Sequence, residues 1–183
     1  IEDGVEVKFD SGTSLQVFGE LVSKGTSSSG ITFTSVQETK AAGDWGQIVF
    51  YDSSVDASYD VNGNYASGSI LEYCTVEYGS GIQLDLANPF INQGTIRYHS
   101  GRGIKTDNYD SSNNLATLKI TNNTISNNAG GVHLYGLGTV LISGNTISNN
   151  SVSGSGAGIK IDGGDGVTIS GNTIENNVAE SEG

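Results

Sequence analysis

Apolar and polar residues alternate along most of this chain, over segments too short for helices. Val5-x-Val7-x-Phe9, Leu15-x-Val17, Ile31-x-Phe33 and Ile48-x-Phe50 come first, punctuated by Gly12, Gly19, Gly25 and Gly30. An alternation of period two over three to five residues predicts strands with one face buried. From residue 69 onward the alternation acquires a second, longer period. Ile120-Thr121-Asn122-Asn123-Thr124-Ile125-Ser126-Asn127-Asn128 returns at Ile142–Asn150 and again at Ile169–Asn177, with weaker copies at Leu71–Val76 and Ile91–Ile96. Aligned copies give an apolar column Leu71, Ile91, Ile120, Ile142, Ile169 and a second one Val76, Ile96, Ile125, Ile147, Ile174. Between them runs Thr75, Thr95, Thr124, Thr146, Thr173, with separations of 20, 29, 22 and 27 residues. A third set begins each regular coil: Gly81-Ile82-Gln83-Leu84, Gly103-Ile104-Lys105-Thr106, Gly131-Val132-His133-Leu134 and Gly158-Ile159-Lys160-Ile161.

Self-similarity at 20–30 residues is the mark of a solenoid. Short strands, one coil per repeat and Asn at the bends predict an all-β, single-stranded parallel β-helix, in which identical side chains stack about 4.8 Å apart. Its variable spacing belongs to loops that leave the coil. Residues 1–183 read as one domain. An irregular N-terminal part, 1–68, ends in a long polar loop at 52–68, and regular coils fill 69–183. Asn at a bend tolerates the left-handed backbone and bonds to neighbouring backbone with its amide. The columns Asn123/Asn145/Asn172 and Asn127/Asn149/Asn176 are therefore structural.

Composition narrows the partners. Net charge is −12, which repels nucleic acid and anionic membranes. No apolar run approaches the ~20 residues of a membrane span, so membrane insertion is not expected. Cys74 is the one cysteine, excluding an internal disulfide; it reads as a small buried thiol. Trp45 is expected to pack over an end or side of the stack. Without a Met or a leader pattern, the chain reads as a processed piece of a longer protein.

These residues resemble the right-handed parallel β-helix repeats of the pectate-lyase-type superfold, above all the secreted bacterial repeat proteins with carbohydrate-binding or sugar-hydrolase domains. Gly4-Val5-x-Val7-Lys8-Phe9, Ile31-Thr32-Phe33-Thr34-Ser35 and Gly43-Asp44-Trp45-Gly46-x-Ile48 also resemble the block that opens such proteins. The resemblance implies right-handedness, as does the general rule for parallel crossovers. It implies a secreted or cell-surface setting and polysaccharide or cell-surface glycan as partner. It does not specify an activity, since one fold hosts many.

Chemistry has four places to sit. The outward residues of the Gly-apolar-x-apolar strands form a strip two side chains wide: Gln83, Lys105, His133, Lys160 and Asp85, Asp107, Tyr135, Asp162. As a lyase site the strip would need an uncharged Lys, whereas a carboxylate beside Lys105 or Lys160 favours the charged form. As a hydrolase site, Asp85 and Asp107 would lie one coil apart, about 4.8 Å at the backbone, which is permissive for a carboxyl pair, retaining at about 5–5.5 Å or inverting at about 6.5–9.5 Å. Tyr78 and Tyr98, on consecutive coils with Arg97 and His99, form a second patch that either binds a sugar or stacks on itself. Calcium, although no cofactor is required, suits the oxygen-rich loops around Asp107 and Asp110 (with Asn113 and Asn114) and around Asp162 and Asp165. Asp60-x-Asn62-x-Asn64 lacks the Gly and Glu positions of an EF-hand and reads as a solvated loop. The Thr column fails as an ice-binding face because its neighbours Glu77, Arg97, Ser126, Ser148 and Glu175 are mixed.

The expected function is thus a non-catalytic structural or adhesive module that binds glycan through Tyr78, Arg97, Tyr98, His99, Lys105, His133, Tyr135 and Lys160. One alternative is a polysaccharide lyase or glycoside hydrolase using Lys105, Asp107, His133, Lys160 and Asp162. The other is a fibre subunit that associates end to end through open strand edges.

Overall fold

A computed structural model of the chain describes residues 1–106, 117–136, 138–163 and 166–181. Most of its strands lie in three parallel sheets, which the chain visits in rotation, and Ser151–Val152 and Val178–Ala179 pair in a small further parallel one. The first sheet has seven strands: Glu6–Phe9, Ile31–Ser35, Cys74–Glu77, Thr95–Arg97, Thr124–Ser126, Thr146–Ser148 and Thr173–Glu175. The second has six: Leu15–Val17, Ile48–Phe50, Ile82–Leu84, Ile104–Thr106, Val132–Tyr135 and Ile159–Asp162. The third has six: Val22–Lys24, Ile70–Glu72, Phe90–Asn92, Leu118–Thr121, Thr139–Ser143 and Gly166–Ser170. This is a parallel β-helix, with each inner coil hydrogen-bonded to the coils before and after it.

The register places the repeated residues on top of one another. Val76, Ile96, Ile125, Ile147 and Ile174 pair in sequence, and so do Thr75, Thr95, Thr124, Thr146 and Thr173. Leu71, Ile91, Ile120, Ile142 and Ile169 form the matching column of the third sheet. Burial follows from having a neighbour on both sides. Ile125 and Ile147 are fully buried, while Ile174, paired on one side alone, is 49% exposed. Each buried Ile contributes roughly 1.5–3 kcal/mol, so a stack of thin layers does the work of a globular core.

The N-terminal part is more regular than its sequence suggests. Glu6–Phe9 and Ile31–Ser35 join the first sheet, and Leu15–Val17 and Ile48–Phe50 the second, in the same parallel register. The irregularity there lies in side-chain size. Phe33 and Phe50 stand over Val76 and Leu84, Phe9 stands over Ser35, and Trp45 stacks on Phe9 at 4.2 Å. Trp45 is buried and donates its Nε1–H to the Glu77 carbonyl. The expected loop at 52–68 contains the one antiparallel element among the described residues, a hairpin of Ser58–Tyr59 and Tyr65–Ser67. At its tip the Asp60 carboxylate accepts from the backbone of Asn62 and Asn64. That carboxylate closes a turn, as the solvated-loop reading expects. Cys74 is buried against Ser23, and burial pushes its thiol up to about 11.

Adjacent Asn residues divide two tasks at the corners. Asn127, Asn149 and Asn176 take the left-handed backbone, with φ of 57°, 55° and 55°. Their successors Asn128, Asn150 and Asn177 form a buried amide ladder. Asn128 N–H donates to Asn150 Oδ1, and Asn150 N–H to Asn177 Oδ1. Each Nδ2 returns to a carbonyl of the preceding coil: Ile96, Ile125 and Ile147. A second ladder, Asn123, Asn145 and Asn172, does the same at the other corner. At that corner the left-handed position belongs to Asn122, with Gly144 and Gly171 replacing Asn below it.

His99 is the top rung of the first ladder. Its backbone N–H donates to Asn128 Oδ1, and its Nε2 lies 3.1 Å from the Val76 carbonyl, where an Asn amide would be. Because the carbonyl can only accept, Nε2 carries the proton. Nδ1 is buried without a partner among the described residues. The imidazole is 2% exposed, and burial holds its pKa down to about 4.

Asn150→Ala is expected to cost about 2–5 kcal/mol in urea denaturation, since it orphans the buried Asn128 N–H and the Ile125 carbonyl. Asn149→Gly, one residue earlier, should change stability by less than about 1 kcal/mol, because glycine accepts the left-handed backbone. His99 gives a pH dependence. Between pH about 6.5 and 4 the unfolded chain takes up a proton that the folded chain refuses. Stability from this residue is therefore complete above pH 6.5 and falls with falling pH by up to about 3 kcal/mol. Thermal melts of His99→Asn, which restores the ladder amide, should lack that component.

Candidate functional site

The outward column of the second sheet runs Gln16, Val49, Gln83, Lys105, His133, Lys160, as in-register strands require. It is not an open strip along its whole length. Val49 and Gln83 are buried, so the upper half is covered. Gln83 turns its amide to Asp85 at 3.2 Å. Asp107 lies outside the described residues, as do Asp110, Asn113, Asn114 and Asp165; the Asp85–Asp107 pair and the Asp107/Asp110 loop therefore have no described geometry, and of the Asp162/Asp165 pair Asp162 alone is described.

Lower on the sheet the column opens into a cleft of about 500 Å³, lined by Ser80, Ser100, Arg102, Lys105, His133 and Tyr135, among others. Strand alternation places His133 and Tyr135 on one face of Val132–Tyr135, and their rings lie 4.5 Å apart. The next coil places Lys160 beneath His133 and Asp162 beneath Tyr135. Asp162 Oδ2 then accepts from His133 Nε2 at 2.8 Å and from Lys160 Nζ at 2.9 Å. These two bonds, His133 first, hold the Asp162 carboxyl below the usual carboxylate range. Partial burial, aided by the nearby charges of Arg102 and Lys160, outweighs Asp162 and holds His133 below its ordinary value. The imidazole is neutral near pH 7, with Nε2–H directed to Asp162 and Nδ1 without a partner among the described residues.

Arg102 was not legible as a site residue. It comes from the corner before Gly103 and crosses to the coil beyond, donating to the carbonyls of Gly156 at 2.7 Å and Ser155 at 3.0 Å. It passes over Gly130, where φ is 105° and a Cβ would stand 2.9 Å from Arg102 Cγ. Glycine at that corner is what lets the guanidinium form the cleft wall.

The second expected patch is paired within itself. Tyr78 and Tyr98 do stack, at 5.3 Å and 20°. Arg97 makes two bonds to Glu77 Oε2, at 2.9 and 2.8 Å, and lies against Tyr98. Lys40 lies 5.8 Å from the Tyr78 ring centre, and Thr34 donates to Glu77 Oε1. Both tyrosines hold the left-handed position that Asn fills in later coils. His99 does not face solvent and is removed from the glycan contacts expected of it; it closes the ladder. The signal was present in the spacing, since residue 99 lies four past Thr95 as Asn128 lies four past Thr124.

No group of three or more His, Cys, Asp or Glu side chains is placed to hold a metal among the described residues. Asp162 already shares its carboxylate between Lys160 and His133, and a cation there would displace the lysine.

No curated protein and no solved structure is significantly similar to this sequence. A family model described as "right handed beta helix region" matches residues 3–174. That span contains the cleft, the second and third sheets, the first sheet but for Glu175 and both Asn ladders but for Asn177, and on it the chain belongs to the right-handed β-helix family.

Proposed function

We propose that this chain is a stiff, non-catalytic module of a secreted or surface-attached protein, and that it binds glycan in the second-sheet cleft. The carrying observation is the convergence of Tyr135, His133, Arg102 and Lys105 on one open cavity of about 500 Å³. Tyr135 is 37% exposed and offers an aromatic surface. Ser80 and Ser100, 3.3 Å apart, add hydroxyls at the upper edge. A few fixed polar groups around an aromatic surface are what a small-ligand site requires. Arg102 and Lys160 stand on positions set by other contacts, so little side-chain freedom is lost on binding. The cationic lining sits in a chain of net charge −12, which favours a ligand carrying some negative charge over a uniformly anionic polymer at long range.

A second reading rests on the His133–Asp162 contact. An imidazole whose Nε2–H is fixed by a carboxylate presents Nδ1 as a base, and Asp162 would stabilise the imidazolium formed. On that reading the cleft cleaves its polysaccharide, by elimination or hydrolysis, with Lys105 and Tyr135 beside the reacting bond.

Calorimetric titration with neutral and uronate-containing oligosaccharides tests the first reading. Tyr135→Ala should weaken binding at least about tenfold, near 1.4 kcal/mol, with an unchanged melting temperature. Equal affinity in wild type and variant would overturn the cleft as the binding site. Incubation with the same oligosaccharides should release neither reducing ends nor unsaturated products. Turnover that disappears in His133→Ala and in Asp162→Asn would replace the module by the enzyme.

A further inference from the structure

Among the described residues, the hairpin of Ser58–Tyr59 and Tyr65–Ser67 is the one place where the chain leaves the coil and pairs with itself antiparallel. It lies over the third sheet, on a different face from the cleft above. Tyr59 and Tyr65 both reach Phe90, which points outward from Phe90–Asn92. Tyr59 meets it edge-on at 5.7 Å, and Tyr65 lies nearly parallel to it at 6.1 Å. The hairpin is pinned at three points. Lys119 Nζ sits 3.7 Å from the Tyr59 ring centre and donates to the Gly63 carbonyl at 2.7 Å. Tyr65 donates its hydroxyl to the Gly68 carbonyl at 2.6 Å, and Gly68 N–H donates to Glu20 at 3.0 Å. A loop that served only to join two strands has no need of three anchors and three aromatic rings.

Beside the hairpin runs a groove of about 380 Å³, within the range of small-ligand sites, about 300–1,000 Å³. Tyr65 and Phe90 make its wall. Its floor is a column of outward residues from successive coils: Lys24, Glu72, Asn92 and Thr121. These are wired in one direction. Thr121 and Asn122 donate to Asn92 Oδ1 at 2.8 and 3.1 Å, and Asn92 Nδ2 donates to Glu72 Oε1 at 2.8 Å. The chain of donors fixes the Asn92 amide and ends on a carboxylate that is an acceptor only. Charge balances within the lining, because Lys24 lies 3.6 Å from Glu72, while Lys119 is turned to Gly63 and Tyr59 and is not part of the lining.

We propose that this groove is a second binding site, for a neutral hexose unit of an oligosaccharide. A pyranose has one apolar C–H face, which suits the Tyr65–Phe90 wall, and a rim of hydroxyl donors, which suits Glu72 and the amide floor. A charge-neutral groove with a carboxylate at its end disfavours an anionic sugar. The proposal does not rest on the second-sheet cleft, which is cationic and on another face. Two sites on one rigid rod would let a single glycan surface be held at two points.

The full chain, isotope-labelled, is titrated with cellohexaose, xylohexaose and mannohexaose, following the side-chain amides of Asn92 and Asn122 and the ring signals of Tyr65 and Phe90. At least one hexasaccharide should shift these signals together. Tyr65→Leu keeps an apolar contact with Phe90 but removes the flat ring; it should weaken that binding about tenfold or more. Tyr135→Ala should leave it unchanged, which separates the two sites. The proposal is overturned if no hexasaccharide moves these signals at millimolar concentration, if the shifts occur only at His133 and Tyr135, or if Tyr65→Leu binds as wild type does. Should Tyr65→Leu unfold, Asn92→Asp provides the second variant. It retains size but replaces a donor to Glu72 with a like charge, and should abolish the shifts at Asn122 and Tyr65.

Discussion

Each coil of this chain is too short to satisfy its own backbone. Its N–H and C=O groups find partners only on the coil before and the coil after, and its apolar side chains are covered only by their own counterparts one step along. Register is therefore the controlling constraint: a slip of one residue would turn every buried Ile to solvent. The two Asn ladders fix that register at the corners. Each amide reads the preceding coil's backbone with both ends, as Asn150 does with Oδ1 on Asn128 N–H and Nδ2 on the Ile125 carbonyl, and Nδ2 donates as well to the next amide of the ladder. A chain of such amides tolerates no offset between coils.

Function is confined to what this constraint leaves free. Inward positions are taken by the stack, and one corner residue in each pair by a ladder. Outward strand positions, corners and insertions remain. The second-sheet cleft uses the first two: His133, Tyr135, Lys160 and Asp162 from outward positions, Arg102 from a corner. The third-sheet groove uses an insertion, the hairpin carrying Tyr59 and Tyr65, laid against the outward residues Phe90 and Asn92. The tyrosines at 78 and 98 follow the same logic in reverse. They occupy a corner that prefers Asn, and their stacking, with Arg97 and Glu77 beside them, settles the strip of surface they stand on.

The fold was legible because repetition exposes it. One isolated Ile-x-x-x-x-Ile segment means little, but five aligned copies fix strand, period and facing together. The parts that do not repeat were the parts misread. Residues 4–50 looked irregular because Phe33 and Phe50 fill positions held by Val, Ile or Leu elsewhere and Phe9 and Trp45 add bulk that no later copy repeats, yet their backbone keeps the same register. The hairpin at 58–67 was hidden because its strands are two and three residues long and carry Ser and Tyr instead of an apolar alternation. Gln83 looked exposed because it shares a column with Lys105 and His133; what covers a column is tertiary and leaves no mark on it. Arg102 belonged to no column at all. The contact between His133 and Asp162 joins residues 29 apart, and pairing of side chains across neighbouring coils follows only once the register is known.

The unequal lengths between copies have a consequence of their own. The Thr column closes the same step whether successive threonines stand 20 or 29 positions apart, so the rod does not register how much chain is fed out between two corners. Extra sequence is ejected sideways and the axial rise stays constant. Surface features can therefore be lengthened, shortened or exchanged one at a time without renegotiating the scaffold, much as pegs are changed on a rail. In such a molecule new specificity is most cheaply acquired by bulging outward, and the tyrosine-bearing hairpin has the form that this route of change produces.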